Sequence, residues 1–288
     1  MSEQSRKAAV VIPIVVLMGA GLAWGGSTHS PQVAGLPLFC WAVAAAFVIQ
    51  WLVYVPSLVL RTERFFDLTG SLTFIIVTVL AAVLSTDLDP RAGLLAAMVV
   101  IWAARLGSFL FMRIRRAGAD DRFDEIKTNP LRFLLTWTLQ GLWVAMTSAA
   151  AWIAITSVNR VGLDAFAIIG LAIWLFGFGF EVVADLQKSA FKADPANAGR
   201  FISTGLWAKS RHPNYFGEIV IWTGALVVAI PVLRGWDWIA LASPVFVALL
   251  LTKLSGIPML EAKADSKWGG QPDYEQYKAR TPILVPRP

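Results

Sequence analysis

The chain has 288 residues, of which 57% are hydrophobic and 15% charged, with a formal net charge of +6. Soluble domains run to about 45–50% apolar and about 25% charged residues, so composition argues against a water-soluble globular enzyme, a disordered chain and a disulfide scaffold. The bases sit between apolar blocks, which suggests cytoplasmic loops of a membrane protein rather than a nucleic-acid partner.

A membrane-spanning helix needs about 20 mostly apolar residues, because lipid offers backbone N–H and C=O groups no partner outside the helix. Eight segments meet this rule, at about 8–25, 37–60, 67–85, 91–114, 132–157, 161–184, 215–234 and 237–258. Arg6 and Lys7 precede the first, which could also be a signal peptide, but its run continues to Trp24 without a convincing cleavage site. Arg61 and Arg64 follow the second segment. Arg113, Arg115, Arg116, Arg122, Lys127 and Arg132 cluster after the fourth, and Lys188, Lys192, Arg200, Lys209 and Arg211 after the sixth. Lys263, Lys267, Lys278 and Arg280 follow the eighth. The alternate connections carry few bases: none between His29 and Leu36, then Arg91, Arg160 and Arg234. Such alternation predicts an even number of spans with both termini in the cytoplasm. The expected fold is an all-α polytopic bundle of about eight helices, one integral membrane domain over residues 1–288, in a bacterial inner membrane. The longest polar stretches, 115–130, 187–214 and the tail from Glu261, fall on the cytoplasmic side. A soluble anionic cofactor would have to be met there.

Cys40 is the only cysteine, and His29 and His212 are the only histidines. An internal disulfide and a thiolate metal cluster are impossible, and no metal site is expected. Ionisable groups inside spans are costly and mark function or a buried partner. Arg105 lies mid-segment. Glu181, Asp185, Lys188 and Lys192 share one face if the sixth helix continues into the cytoplasm. That face is either a series of helix-end salt bridges or a stripe facing a cofactor. Richer still is the run from Gly205 to Glu218, which brings Trp207, Lys209, Arg211, His212, Asn214, Tyr215 and Glu218 to the point where a loop re-enters an apolar segment. Arginine and lysine there can receive phosphates, and Pro213 suits a first helical turn. An interfacial aromatic belt would explain Trp207, Lys209 and Tyr215, but not Asn214 together with Glu218. The tail adds Glu261, Asp265, Tyr274, Tyr277 and Arg280. No glycine-rich strand-to-helix fingerprint for a Rossmann domain is present.

The Gly205–Glu218 run and the ending from Tyr277 to Pro286 resemble the steroid 5α-reductase C-terminal-domain superfamily, most closely its bacterial branch of uncharacterised DUF1295-like proteins. Gly205-Leu206, Asn214, Gly217 and Glu218 fall where steroid 5α-reductases carry the same residues. Leu139-Gln140-Gly141 matches their Leu-Gln-Gly, and Asp185 with Lys192 matches an acid and a base seven positions apart. Arg211-His212-Pro213-Asn214-Tyr215 also looks like the sterol double-bond reductases. The resemblance covers about residues 60–288. It implies NADPH held at the cytoplasmic ends of the spans and hydride delivery to an activated double bond of a lipophilic, steroid-like or isoprenoid substrate.

Matched by position and joined to the reading of the polar clusters, the cofactor-binding candidates are Arg105, Glu181, Asp185, Lys192, Trp207, Arg211, His212, Asn214, Tyr215, Glu218, Glu261, Tyr277 and Arg280, with residues 181–288 as the cofactor-binding half. Where the reductases carry a glutamate and a tyrosine that polarise the substrate carbonyl, this chain has Asp67 and Trp102. These two and Gln140 are the catalytic candidates. Asp67 would have to be protonated to donate a hydrogen bond, and Trp102 offers an N–H but cannot shuttle a proton. The Arg-His-Pro motif is shared with isoprenylcysteine methyltransferases, where it binds S-adenosylmethionine. A methyltransferase and a non-catalytic lipid-binding protein are therefore the alternative functions. The partners expected are a lipophilic small molecule and membrane lipid.

Overall fold

The structure, a computed structural model, describes residues 2–85, 88–117 and 123–287, without the side chains of 113–117. Arg122 thus lies outside the described residues, and Arg113, Arg115 and Arg116 are described in backbone only. The fold is all-α, and eight helical segments among the described residues are long and apolar enough to cross a membrane. The helices are α1 (Glu3–Gly25), α2 (Leu38–Val59), α3 (Phe66–Leu84), α4 (Pro90–Ala117), α5 (Pro130–Thr156), α6 (Ala165–Ala193), α7 (Pro213–Ala229), α8 (Ala242–Leu249), α9 (Ile257–Trp268) and α10 (Pro272–Arg280). A two-residue hairpin, β1 (Gln32–Val33) with β2 (Leu36–Pro37), joins α1 to α2.

The boundaries depart from expectation where capping and glycine intervene. The first helix starts at Glu3, because the Ser2 hydroxyl accepts the Ser5 N–H and satisfies an otherwise free donor. The sixth helix runs on to Ala193, so the Glu181–Lys192 face is one continuous stripe. The eighth segment is broken into a 3-10 stretch (Gly235–Leu241), α8 and a π-helical turn (Leu250–Leu254). It ends at Gly256, where a Cβ would stand 2.4 Å from the Leu251 carbonyl oxygen.

The chain divides into two compact units, Met1–Ala167 with Val228–Ser243, and Ile168–Val227 with Pro244–Pro288. In the first, α5 is the central helix, packed by α1, α2, α3 and α4. Its most apolar window is 83% buried yet has a mean hydropathy of only 1.3, against 2.0–2.2 for α1 to α4. The inversion is physical. A helix face touching lipid must be apolar, whereas a helix enclosed by protein on all sides can use alanine for close approach and hydroxyls as glue around its whole surface. Trp152 Nε1 donates to Thr78 Oγ1 at 2.8 Å, Gln50 Nε2 to Thr73 Oγ1 at 2.8 Å, and Trp51 Nε1 to Thr138 Oγ1 at 3.1 Å. At the start of α4 the buried Arg91 donates to the carbonyls of Val161, Gly162 and Val228 and pairs with Asp164 at 2.7 Å. His29 and the buried Asp237 meet at 2.7 Å.

In the second unit, glycines bring α6 and α7 together. A Cβ on Gly217 would lie 2.8 Å from the Glu181 nitrogen and the Gly177 carbonyl oxygen, and one on Gly224 2.7 Å from the Gly170 oxygen. Gly170 and Gly177 are one heptad apart, as are Gly217 and Gly224, so both contacts repeat along two antiparallel helices.

Candidate functional site

Within the second unit, the Gly205–Glu218 run folds as a 3-10 turn (Gly205–Ala208), a bend and the first turn of α7. Gly205 has a φ of +61°, and a Cβ there would strike the Gln187 side chain at 2.6 Å. The close approach has a use, since Gln187 Oε1 accepts the Leu206 N–H at 2.9 Å. Trp207 is buried, its Nε1 donating to the Ala184 carbonyl at 2.9 Å, with the Lys188 ammonium 4.4 Å above its ring. The Tyr277 hydroxyl donates to the Trp207 carbonyl at 2.7 Å. Trp207 and Tyr277 thus meet protein partners and pin the turn to α6 and α10. Burial pushes the Tyr277 phenol above its ordinary range.

Pro213 opens α7, as its missing N–H allows. Just ahead of it, Arg211 Nη1 donates to Glu261 Oε2, and His212 Nε2 stands 2.7 Å from Glu261 Oε1. One carboxylate on α9 therefore holds both side chains. A hydrogen bond from Nε2 to a carboxylate leaves Nδ1 as the acceptor of the neutral imidazole. That atom is buried, as is Arg211 Nε, and neither has a hydrogen-bond partner among the described residues. The Tyr215 ring stacks on His212, with centroids 5.6 Å apart at 10°. Asn214 is half-buried, and its amide makes no hydrogen bond among the described residues. One turn along α9 from Glu261, Asp265 accepts from the Tyr274 hydroxyl at 2.9 Å and pairs with Lys278 at 2.6 Å. Glu181 and Asp185 are buried on α6, Glu218 is half-buried, and Lys192, Lys209 and Arg280 are exposed.

The expected catalytic residues belong to the first unit. Asp67 is half-buried in the first turn of α3. Trp102 is fully buried, edge-on to Phe74 at 5.2 Å. Gln140 Nε2 donates to the Phe66 carbonyl at 3.1 Å, which turns Oε1 the other way. That oxygen is buried without a partner among the described residues. Arg105 is half-buried, its guanidinium 5.4 Å from the Phe109 ring centre. A polar recess of about 510 Å³ lined by Gln4, Glu125, Asn129 and Arg132 and an apolar groove of about 240 Å³ beside Trp41 and Leu80 also lie in this unit. Neither includes a candidate residue.

Reasoning from sequence missed Gln187 and Ser210, both without any motif of their own. It also missed the pairing of Glu261 with His212, since residues 49 apart leave no periodic trace.

A family model described as "Protein of unknown function (DUF1295)" matches residues 38–281. A fission-yeast protein, "Uncharacterized protein C594.04c" of Schizosaccharomyces pombe (strain 972 / ATCC 24843), is 26% identical over 159 residues. That match covers 46% of this chain and 46% of the relative, so the chain spans about half the length of the curated protein it resembles. No solved structure matches. With more than four-fifths of its residues covered by the model, this chain belongs to the DUF1295 family of steroid 5α-reductase-like membrane proteins.

Proposed function

We propose that this protein is an NADPH-dependent reductase of an activated carbon–carbon double bond in a lipophilic, steroid-like or isoprenoid molecule, working at the cytoplasmic ends of its spans. The observation that carries the reading is the Arg211–Asn214 turn. Two cationic or protonatable side chains are held by one carboxylate at the mouth of an apolar helix, beside an amide with no protein partner among the described residues. A side-chain amide offers one acceptor and two donors and so complements a carboxamide such as that of nicotinamide. The orphaned atoms of Arg211 and His212 and the exposed cations fit an anionic, hydrogen-bonding ligand. When bound, NADPH would supply the hydride.

The remaining work falls to the chain. Lys192, Lys209 and Arg280 would meet phosphates as exposed cations. Arg211 is already neutralised by Glu261, so it suits a ligand as an oriented donor more than as a free charge. The carboxylates of Glu181, Asp185 and Glu218 would accept hydrogen bonds from hydroxyls. In the first unit, Asp67 in its protonated form would donate a hydrogen bond to the substrate's activating carbonyl and give up the proton that the reduced carbon takes along with the hydride, and Gln140 would line the substrate's place. Trp102, enclosed by aromatic rings, would shape the wall rather than supply a proton.

The test is thermal unfolding in detergent with NADPH, NADH and S-adenosylmethionine in turn. A ligand that binds only the folded state at 100 times its dissociation constant adds about 2.7 kcal/mol. NADPH is expected to stabilise, and Asn214→Ala to shrink the shift. Stabilisation by S-adenosylmethionine alone would overturn the reductase reading in favour of methyl transfer.

A further inference from the structure

The segment that follows α10, Thr281-Pro-Ile-Leu-Val-Pro-Arg287, does not trail into solvent. Pro282, Leu284 and Pro286 are half-buried and Ile283, Val285 and Arg287 exposed, the two-residue period of an extended strand. Three hydrogen bonds tie its length to the turn ahead of α7. The Arg211 N–H donates to the Pro282 carbonyl at 2.9 Å, and Ser210 Oγ to the Leu284 carbonyl at 2.7 Å. The Arg287 N–H donates to the Lys209 carbonyl at 3.1 Å. As the segment advances from 282 to 287 its partners recede from 211 to 209, so the pairing is antiparallel. Ser210 is its hub. It is fully buried, and the hydroxyl that donates to Leu284 also accepts the His212 N–H at 3.2 Å. The backbone of Arg211 therefore bonds this segment directly, and that of His212 reaches it through the Ser210 hydroxyl, two hydrogen bonds away.

We infer that residues 282–287 form a strap that sets the geometry of the Arg211–Asn214 turn, with Ser210 as the positioning residue through which it acts. The strap stands on its own hydrogen bonds. Only its consequence for ligand binding rests on reading that turn as a nucleotide site. Proline fixes φ near −65°, so Pro282 and Pro286 hold the segment extended before it docks, and it loses less conformational entropy on docking. The side chains of Arg211 and His212 are set from the other direction by Glu261. Strap and carboxylate together clamp backbone and side chain, which pre-organises the turn for a ligand.

Three substitutions separate this role from general packing. Arg287→Pro deletes the N–H that reaches Lys209, whereas Arg287→Ala keeps it, and the side chain is exposed in either case. Ser210→Ala deletes the hub hydroxyl. In the detergent-solubilised full chain, amide hydrogen exchange over 209–216 is expected to rise at least about tenfold in Arg287→Pro and Ser210→Ala. It should stay unchanged in Arg287→Ala, and the interior of α7 should stay protected in all three. NADPH affinity is expected to fall at least about threefold in the first two variants only. Unchanged exchange in Arg287→Pro overturns the strap, even if Ser210→Ala proves too unstable to measure. Raised exchange with undiminished NADPH affinity overturns its positioning role. Raised exchange in a chain whose unmodified form binds no nucleotide supports the strap and removes the proposed cofactor instead.

Discussion

Glu261 shows how one side chain can change the meaning of its neighbours. On sequence grounds Arg211 is a phosphate receptor and Glu261 a separate cofactor contact. In the folded chain the carboxylate accepts from Arg211 and His212 together. Glu261→Gln keeps the shape but removes the charge that both donors meet. It should lower stability by about 1–3 kcal/mol, the usual cost of leaving buried hydrogen-bonding groups poorly paired, as read from chemical or thermal unfolding. Two other residues predict pH dependence. Hydrogen bonding to Arg91 holds the Asp164 carboxyl below the usual carboxylate range. Its contribution is therefore present above the unfolded value of about 3.9 and is lost as pH falls through the lower folded value. Arg91→Leu should blunt that acid sensitivity while lowering the melting temperature. Tyr277 has the opposite sign, because burial raises its phenol. Its contribution is intact below the unfolded value of about 10 and lost as pH rises beyond it. Alkaline unfolding followed by circular dichroism should begin later in Tyr277→Phe, relative to that variant's own stability at neutral pH.

At the scale of elements, the crossing of α6 and α7 brings the backbone of Glu181 on α6 against Gly217 near the start of α7. Gly217 was legible as part of a family motif, but its reason is steric: the backbones of Gly177 and Glu181 occupy the space a Cβ would need. Gly217→Val must push α7 away from α6 or distort its first turn. Overpacking of this kind typically costs about 1–3 kcal/mol. Gly179→Ala makes the control, since a Cβ there meets nothing within 4 Å. Unfolding of the two variants in parallel checks the prediction, with a large loss expected only for Gly217→Val. The stripe from Glu181 to Lys192 shows the reverse case. Its spacing is a helical period, and a single unbroken helix follows from it directly.

For the whole molecule, the charge alternation predicts that α1 begins on the same side as α10. With Cys40 replaced by Ala, single cysteines at Gln4 and Lys278 should resist an impermeant maleimide in intact cells, while cysteines at Gln32 and Trp236 should react. The reverse pattern would invert the protein and move the candidate site to the outer face. Span count, the basic loops and the polar re-entry at 205–218 could all be read along the chain. Each is a local consequence of what lipid tolerates: about 20 apolar residues without a break, and bases left on one side. The partners of those residues could not be read this way. Which helix is enclosed by others, which carboxylate meets Arg211 and His212, and which carbonyls Ser210 and Tyr277 reach depend on residues tens of positions apart. A hydrogen bond depends on distance and direction in space, which carry no period along the chain, so only the tertiary structure decided them.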